Sequence, residues 1–398
     1  MRDVEGIVKR LSACLDEKVG GSHEKILAVR APARSEIAGN HTDHEGGRVI
    51  AAALDRSIEC LAVANGTDTA RVFSMGFEPV SVVLDELSPR PEEQVTSAGL
   101  VRGMAAQMAT TGRKPEGFDL VMTSDIPSGG GLSSSAAYEL ALCRAMEALW
   151  PGTPVDAVKA AQMAQCVERD WFGKPCGLMD QLAVSLGGLS YMDFESEQPQ
   201  TEKLTLDFAD HGLALALTDV GCDHSAYTDE YAAVPTEMKA VAAALGHERL
   251  CEVAEDDLLD HVIGLRKELG DRAVLRALHY YQEMELVDER WDALKAADME
   301  RFLELTERSG ASSAMFLQNV SVGGAREQDA MVALALSERL LRGKGATRIH
   351  GGGFGGSIQA FVPTEALDSY VAGMDAWLGE GSCKIYALSD EGAKAQWL

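Results

Sequence analysis

Four short stretches of this 398-residue chain carry residue types that could do chemistry. The first is SDIPSGGGLSSSAAYELAL, Ser124 to Leu142, where Gly129–Gly131 and Ser133–Ser135 stand between two apolar runs. Backbone N–H groups and a helix dipole at such a turn suit a phosphate, glycine lets the ligand come close, and serine adds hydroxyls. The same run also suits a flexible turn with a serine N-cap, and no lysine follows the last glycine as G-x-x-x-x-G-K-S/T would require. The second stretch, RAPARSEIAGNHTDHEGG, packs Arg34, Asn40, His41, Thr42, Asp43, His44 and Glu45 around glycines. These are short donors and acceptors suited to gripping hydroxyls, although surface loops are often equally polar. The third, ERDWFGKPCGLMDQLAVSLGG, sets Asp180 in an otherwise apolar segment, with Glu168 twelve residues earlier. A carboxylate there is either satisfied by a structural partner or functional. The fourth is GGGFGG, Gly351 to Gly356, which alone could be a packing turn.

The elements that must position these stretches are legible from periodicity. GFDLVMTSDIP alternates Phe118, Leu120 and Met122 and reads as a strand, while AAYELALCRAMEALW has helical spacing, so the Gly/Ser run joins a strand to the first turn of a helix. KILAVRAPARSEIAG and RVIAAALDRSIECLAVAN read as strands around the His/Asp loop. TSAGLVRGMAAQMATTG and DAVKAAQMAQCVERDWFG read as helices, and GLALALTDVG, Gly212 to Gly221, as a buried strand. Helices are expected over Tyr231–Leu245, Ala254–Leu269, Ala273–Leu294, Asp298–Ser309 and Glu327–Leu341, followed by a strand–helix–strand ending. A domain boundary is placed near Phe208, giving units 1–208 and 209–398.

Composition narrows the function classes. With 46% hydrophobic and 25% charged residues the chain is an ordinary globular protein. No apolar run approaches a membrane span, and the start, MRDVEGIVKRLSACLDEK, is charged and amphipathic, unlike a signal peptide. A cytoplasmic protein is expected. A net charge of −26 argues against broad nucleic-acid binding but not against a nucleotide in a locally positive pocket. The eight cysteines contain no C-x-x-C and the nine histidines no H-E-x-x-H, so reduced thiols are expected and a metal cluster is not.

Taken in order, the four stretches resemble those of galactokinases in the GHMP (galacto-, homoserine, mevalonate, phosphomevalonate) kinase superfamily. ARSEIAGNHTDHEGG stands where that family has G-R-V/I-N-L/I-I-G-E-H-T-D-Y-N-G-G, PSGGGLSSSA matches its ATP loop, and CGLMDQ and GGGFGG are intact. The resemblance implies an α+β fold in two lobes, an N-terminal one like ribosomal protein S5 domain 2 and a C-terminal ferredoxin-like one. It implies ATP-dependent phosphorylation of the anomeric hydroxyl of a galactose-type sugar, with Mg²⁺, by a monomer or weak homo-oligomer that binds neither nucleic acid nor membrane. Carried over, Gly129, Gly130, Gly131, Leu132, Ser133, Ser134 and Ser135 wrap the phosphates, and Ser74 is a looser match to an ATP contact. Ser135 and Glu168 hold Mg²⁺, Asp180 takes or orients the hydroxyl proton, and Arg34 stabilises the transferring phosphoryl group. Asn40, His41, Thr42 and Asp43 match the sugar-gripping segment, with Tyr231 beside it.

The departures gather at the sugar. The family's Glu is Asn40 here, its Tyr is His44, its Asn is Glu45, and a histidine further on is lost at Gly310. An amide at Asn40 would not repel an anionic sugar, so a sugar acid such as galacturonate is the alternative substrate, and a non-catalytic sugar/ATP sensor the alternative role.

Overall fold

A computed structural model describes residues 4–21, 23, 25–127, 131–221, 227–322, 326–354 and 356–398. In chain order its first part runs α1 (Val4–Lys18), β1 (Leu27–Ala38), β2 (Arg48–Ala64), β3 (Thr69–Ser74), β4 (Val80–Val83), α2 (Ser97–Thr110), β5 (Phe118–Ser124), α3 (Ser134–Leu149), α4 (Ala157–Val167), α5 (Met179–Leu186), β6 (Leu189–Asp193) and β7 (Gln200–Leu204). The rest is β8 (Leu213–Asp219), α6 (Thr228–Ala244), α7 (Glu255–Leu269), α8 (Asp271–Lys295), α9 (Met299–Ser312), α10 (Asp329–Leu341), β9 (Ala346–Ile349), β10 (Ser357–Pro363), α11 (Leu367–Leu378), β11 (Cys383–Tyr386) and β12 (Lys394–Trp397).

Two sheets organise these elements. The first has eight strands in the order β12-β1-β2-β5-β3-β4, with β6 and β7 branching from β2. The second is antiparallel, in the order β11-β8-β10-β9. The C-terminal strand β12 returns to pair with β1, so a cut after Phe208 would divide the first sheet's strands between the two pieces. The long hydrophobic runs of β1 and β2 are buried along most of their length, as strands covered on both faces must be. Helices start on side-chain caps: Thr96 accepts from the Gly99 N–H, Asp156 from Lys159 and Asp298 from Arg301. The amphipathic start of the chain is helix α1, with Ile7, Leu11 and Leu15 buried along one face, whereas β3, β4 and the β6–β7 hairpin carry too few periodic residues to stand out in the sequence. No helix among the described residues is long and apolar enough to cross a membrane. Cys14, Cys60, Cys143, Cys166, Cys176, Cys251 and Cys383 are free thiols, as expected; Cys222 lies outside the described residues.

The core is continuous from the first sheet into the second half of the chain. At its far end Phe208, Phe302 and Phe361 meet, with Phe361 edge-on to the other two at centroid distances of 5.0 and 4.8 Å. Phe361→Ala is expected to destabilise the protein by about 3–5 kcal/mol, read as a lowered urea midpoint.

The second sheet also docks polar groups onto β1. His350, in the turn after β9, lies between the Ser35 and Ser357 hydroxyls at 3.0 Å each. Gln359 Nε2 donates to the Ser35 hydroxyl at 3.0 Å and to the Glu36 carbonyl at 2.7 Å. Arg348 on β9 donates to the Glu36 carboxylate at 2.8 Å and to the Ile37 carbonyl at 3.0 Å. Burial, aided by the nearby Arg34 and Arg348 charges, pushes the His350 imidazole down to about 3, so it is neutral in the folded protein. The unfolded chain binds a proton here below about pH 6.5 and the native state does not, so this group favours folding above that pH and loses its contribution as pH falls. Between pH 7 and pH 5 the term amounts to on the order of 2 kcal/mol. The stability difference between wild type and His350→Gln, measured by urea unfolding, should therefore shrink by about that amount over this range.

Candidate active site

Arg34 sits near the end of β1 with its side chain almost fully buried. It grips Asp180, 146 positions away in the first turn of α5, by a bidentate fork: Nε to Oδ1 at 2.7 Å and Nη2 to Oδ2 at 2.8 Å. The Ser133 hydroxyl donates to the same Oδ2. Burial alone would raise the Asp180 carboxyl, but Arg34 and the Ser133 hydroxyl outweigh it and hold Asp180 below the usual carboxylate range. The position at a helix N-terminus favours the same ionised form. Arg34 also donates Nη1 to the Gly131 carbonyl at 2.5 Å and its peptide N–H to the Leu132 carbonyl at 3.3 Å, which ties the Gly/Ser run to β1.

That run ends as anticipated, in the first turn of a helix. Ser133 caps α3 from a left-handed backbone, φ 54° and ψ 56°, a conformation that costs a non-glycine residue energy. The strained turn is what aims its hydroxyl at Asp180. Leu132 is buried and anchors the turn, while Gly131 and Ser134 face solvent. Gly129 and Gly130 lie outside the described residues. Ser74 is at the end of β3, paired with Met122 of β5, the strand that leads into the run.

Glu168 begins a single π-helical turn after α4, a distortion that recurs at functional sites. Its carboxylate accepts from the Ser135 hydroxyl at 3.3 Å and from Gln181 Nε2 at 2.6 Å, and lies 3.4 Å from Lys174 Nζ. Hard oxygens from one hydroxyl and one carboxylate, side by side at a helix N-terminus, fit a Mg²⁺ ion whose remaining ligands are phosphates and water. A residue not singled out from the sequence stands behind them. Glu139, one turn along α3, is fully buried, shares Gln181 Nε2 at 3.3 Å and has its other oxygen unpartnered. Burial, reinforced by the Glu168 charge, pushes its carboxyl well above the usual range. An acid inside the apolar run AAYELALC was the signal available.

The His/Asp loop folds back on itself. Thr42 spends its hydroxyl on the Gly39 and Arg48 carbonyls, at 3.0 and 2.8 Å, and so closes the turn rather than facing open space. Asp43 fills the place a side chain would take at Gly177, where a Cβ would stand 1.8 Å from Asp43 Oδ2; this is why the CGLMDQ stretch has glycine there. Burial raises the Asp43 carboxyl, with the Asp180 charge adding to it and His44 opposing. His41 bonds the Gly352 carbonyl at 2.9 Å, and burial with the neighbouring His44 charge pushes its imidazole down to about 3. Being neutral, its Nε2 donates to that carbonyl and its Nδ1 is free to accept from His44, 3.4 Å away. Tyr231, at the start of α6, packs 5.3 Å from the His41 ring and against Gly352, where a Cβ would meet the tyrosine ring at 2.0 Å.

Asn40 is fully buried, and both ends of its amide are used within the protein. Its Nδ2 donates to the Gly351 carbonyl, and its Oδ1 accepts from Asn319 at 2.6 Å. Glu45 is buried too and accepts the Leu250 N–H at 3.1 Å, which anchors the following turn. Gly310 lies where α9 packs on β9, and a Cβ there would stand 3.2 Å from the Thr347 carbonyl and from Arg348 Cβ, so a larger side chain would press on β9. The structure thus gathers Arg34, Asp180, Ser133, Asp43, His41 and Tyr231 around one point, with Ser135 and Glu168 on one side. Asn40 and Thr42 lie beneath the surface of the loop.

Known proteins resemble this chain in sequence and in fold. Residues 99–188 match the model of the GHMP kinases N terminal domain, and residues 16–63 match the galactokinase galactose-binding signature. The chain is 32% identical over 358 residues to galactokinase of Bos taurus, covering 86% of this chain and 85% of that one. It is 30% identical over 365 residues to galactokinase of Chloroflexus aggregans, covering 87% of each. It is 28% identical over 383 residues to human galactokinase, covering 93% and 92%. The fold superposes on Lactococcus lactis galactokinase, crystallised with galactose, with TM-score 0.83 at 21% identity over 98% of this chain and 99% of that one. It superposes on Methanococcus jannaschii mevalonate kinase with TM-score 0.64 at 15% identity over 93% and 99%. The mixed α+β architecture is accordingly that of the GHMP kinases, and the chain belongs to the galactokinase family.

Proposed function

We propose that this protein transfers the γ-phosphoryl group of ATP to the anomeric hydroxyl of a galactose-type sugar, giving the sugar 1-phosphate and ADP. The observation that carries this reading is the Arg34–Asp180 fork, joined by the Ser133 hydroxyl at the N-terminus of α3. An ionised Asp180 accepts a hydrogen bond from the sugar hydroxyl and so aims its oxygen at the γ-phosphorus; it is also placed to take the proton as the new O–P bond forms and the bond to the β-phosphate oxygen breaks. Arg34 both keeps Asp180 ionised and faces the negative charge that spreads over the transferring group.

Gly129 to Ser135 and the free N–H groups of α3 hold the phosphates, with Ser74 on the neighbouring strand toward the rest of the nucleotide. Ser135 and Glu168 would hold Mg²⁺, which when bound offsets the charge of the phosphate oxygens. Asp43, His41 and Tyr231 form the wall that meets the sugar, with Asn40 and Thr42 supporting it from below. We place the reaction in the cytoplasm.

A sugar acid is the second reading, and it rests on the sequence alone, where a neutral amide, Asn40, occupies the position at which the family motif carries a carboxylate. Release of ADP with galactose, N-acetylgalactosamine, galacturonate, arabinose and glucose decides among the readings. Galactose active and galacturonate inert supports the first; the reverse supports the second; no sugar above background leaves a non-catalytic binder. Asp180→Asn and Arg34→Ala should each lower kcat by about a hundred- to a thousandfold, with circular dichroism showing a folded protein. Turnover close to wild type in either variant removes its assigned role.

A further inference from the structure

Between the His/Asp loop and the second half of the chain lies a buried charged cluster that the proposed chemistry does not use. Its members are Glu36, Glu283, Arg290 and Arg348, none more than 3% exposed. Glu36 pairs with Arg348 at 2.8 Å. Arg290 and Arg348 both donate to the Ile37 carbonyl. Glu283, whose carboxylate is held low by His279 and the two arginines against its own burial, accepts from the Gly39 N–H at 3.1 Å and from the Ser309 hydroxyl at 2.8 Å. Two carboxyl groups thus share this dry site with two guanidiniums, and burial raises the Glu36 carboxyl even against the Arg348 charge. Adding a carboxylate beside Glu36, or removing the one that pairs with Arg348, would upset this balance.

Asn40 touches this cluster. Its Nδ2 is 3.5 Å from Glu36 Oε1 and bonds the Gly351 carbonyl, so that nitrogen faces two acceptors and its Oδ1 faces the Asn319 donor. The flipped amide would set oxygen against oxygen on one side and nitrogen against nitrogen on the other. Glu36 therefore helps fix which way the Asn40 amide points and hence how the sugar loop is clamped to the glycine turn. The family motif quoted above has an amide at the position of Glu36 and a carboxylate at the position of Asn40; this chain has the two in reverse order.

We propose that Glu36 and Asn40 act as one carboxylate–amide unit: the cluster accommodates a single carboxylate across the two positions, and Glu36 is a positioning residue for the sugar loop. The kinetic side of this inference rests on the sugar-kinase reading; the coupling between the two positions does not.

The test compares wild type, Glu36→Asn, Asn40→Glu, the double swap and the isosteric Glu36→Gln. Ligand-free thermal midpoints are measured for all five, together with kcat and KM for galactose and for ATP. Each single swap should lower kcat/KM for galactose by about tenfold or more through the sugar KM, with the ATP KM within about twofold, and the double swap should return to within about threefold of wild type. The thermal midpoints should show the same non-additivity. Glu36→Gln should keep its fold and still raise the sugar KM. A double swap no better than the worse single variant in both readouts overturns the proposal, as does a wild-type sugar KM in Glu36→Gln. A double swap that folds where the single variants do not supports it. If the wild-type protein does not phosphorylate galactose, the sugar-kinase reading fails and the melting cycle alone decides the coupling.

Discussion

The ion pair between Arg34 and Asp180 is the interaction on which the rest of the site depends. It joins β1 to α5 and draws in the Gly/Ser turn through the Gly131 carbonyl and the Ser133 hydroxyl. Two opposing effects meet there. Burial penalises the charge on both partners, and each charge stabilises the other. The balance keeps Asp180 ionised and Arg34 cationic, and removing either partner would leave the other charge without its match.

The fork stays in register because β1 is held from both sides. It pairs with β2 along one edge and, over Leu27–Arg30, with the returning strand β12 along the other. Further along β1, Arg348, His350 and Gln359 from the second sheet dock on Ser35, Glu36 and Ile37, the residues directly after Arg34. The two sheets therefore meet at the residues that carry the chemistry. Two glycines complete the pocket by what they lack: without a Cβ, Gly177 admits Asp43 and Gly352 admits Tyr231.

Much of this was legible in the chain. The alternation of Phe118, Leu120 and Met122 and the helical spacing after Ser135 placed the Gly/Ser turn between β5 and α3, where the structure has it. The helices of the second half follow their apolar periodicity closely, from α6 to α10. Short edge strands and the return of β12 were not legible, since four or five residues hold too few repeats to define a period and their pairing is long-range. Gln181, Asn319 and Arg348 passed unnoticed for a related reason. Each is an ordinary polar residue in the sequence and gains its meaning only from being buried against a particular partner.

The amino-acid sequence by itself determined where strands turn into helices, which glycines and serines lie at the turn, and that acids and an arginine of the right types stand in the right order. Those properties are local, set by the chemistry of neighbouring residues along the chain. Only the tertiary structure decided that Arg34 meets Asp180, that His41 and His350 are neutral, that the Glu139 carboxyl is pushed upward by burial and that Asn40 is turned inward. Each of these depends on distance and dehydration between groups tens to hundreds of positions apart, and both are created when the two sheets close on β1.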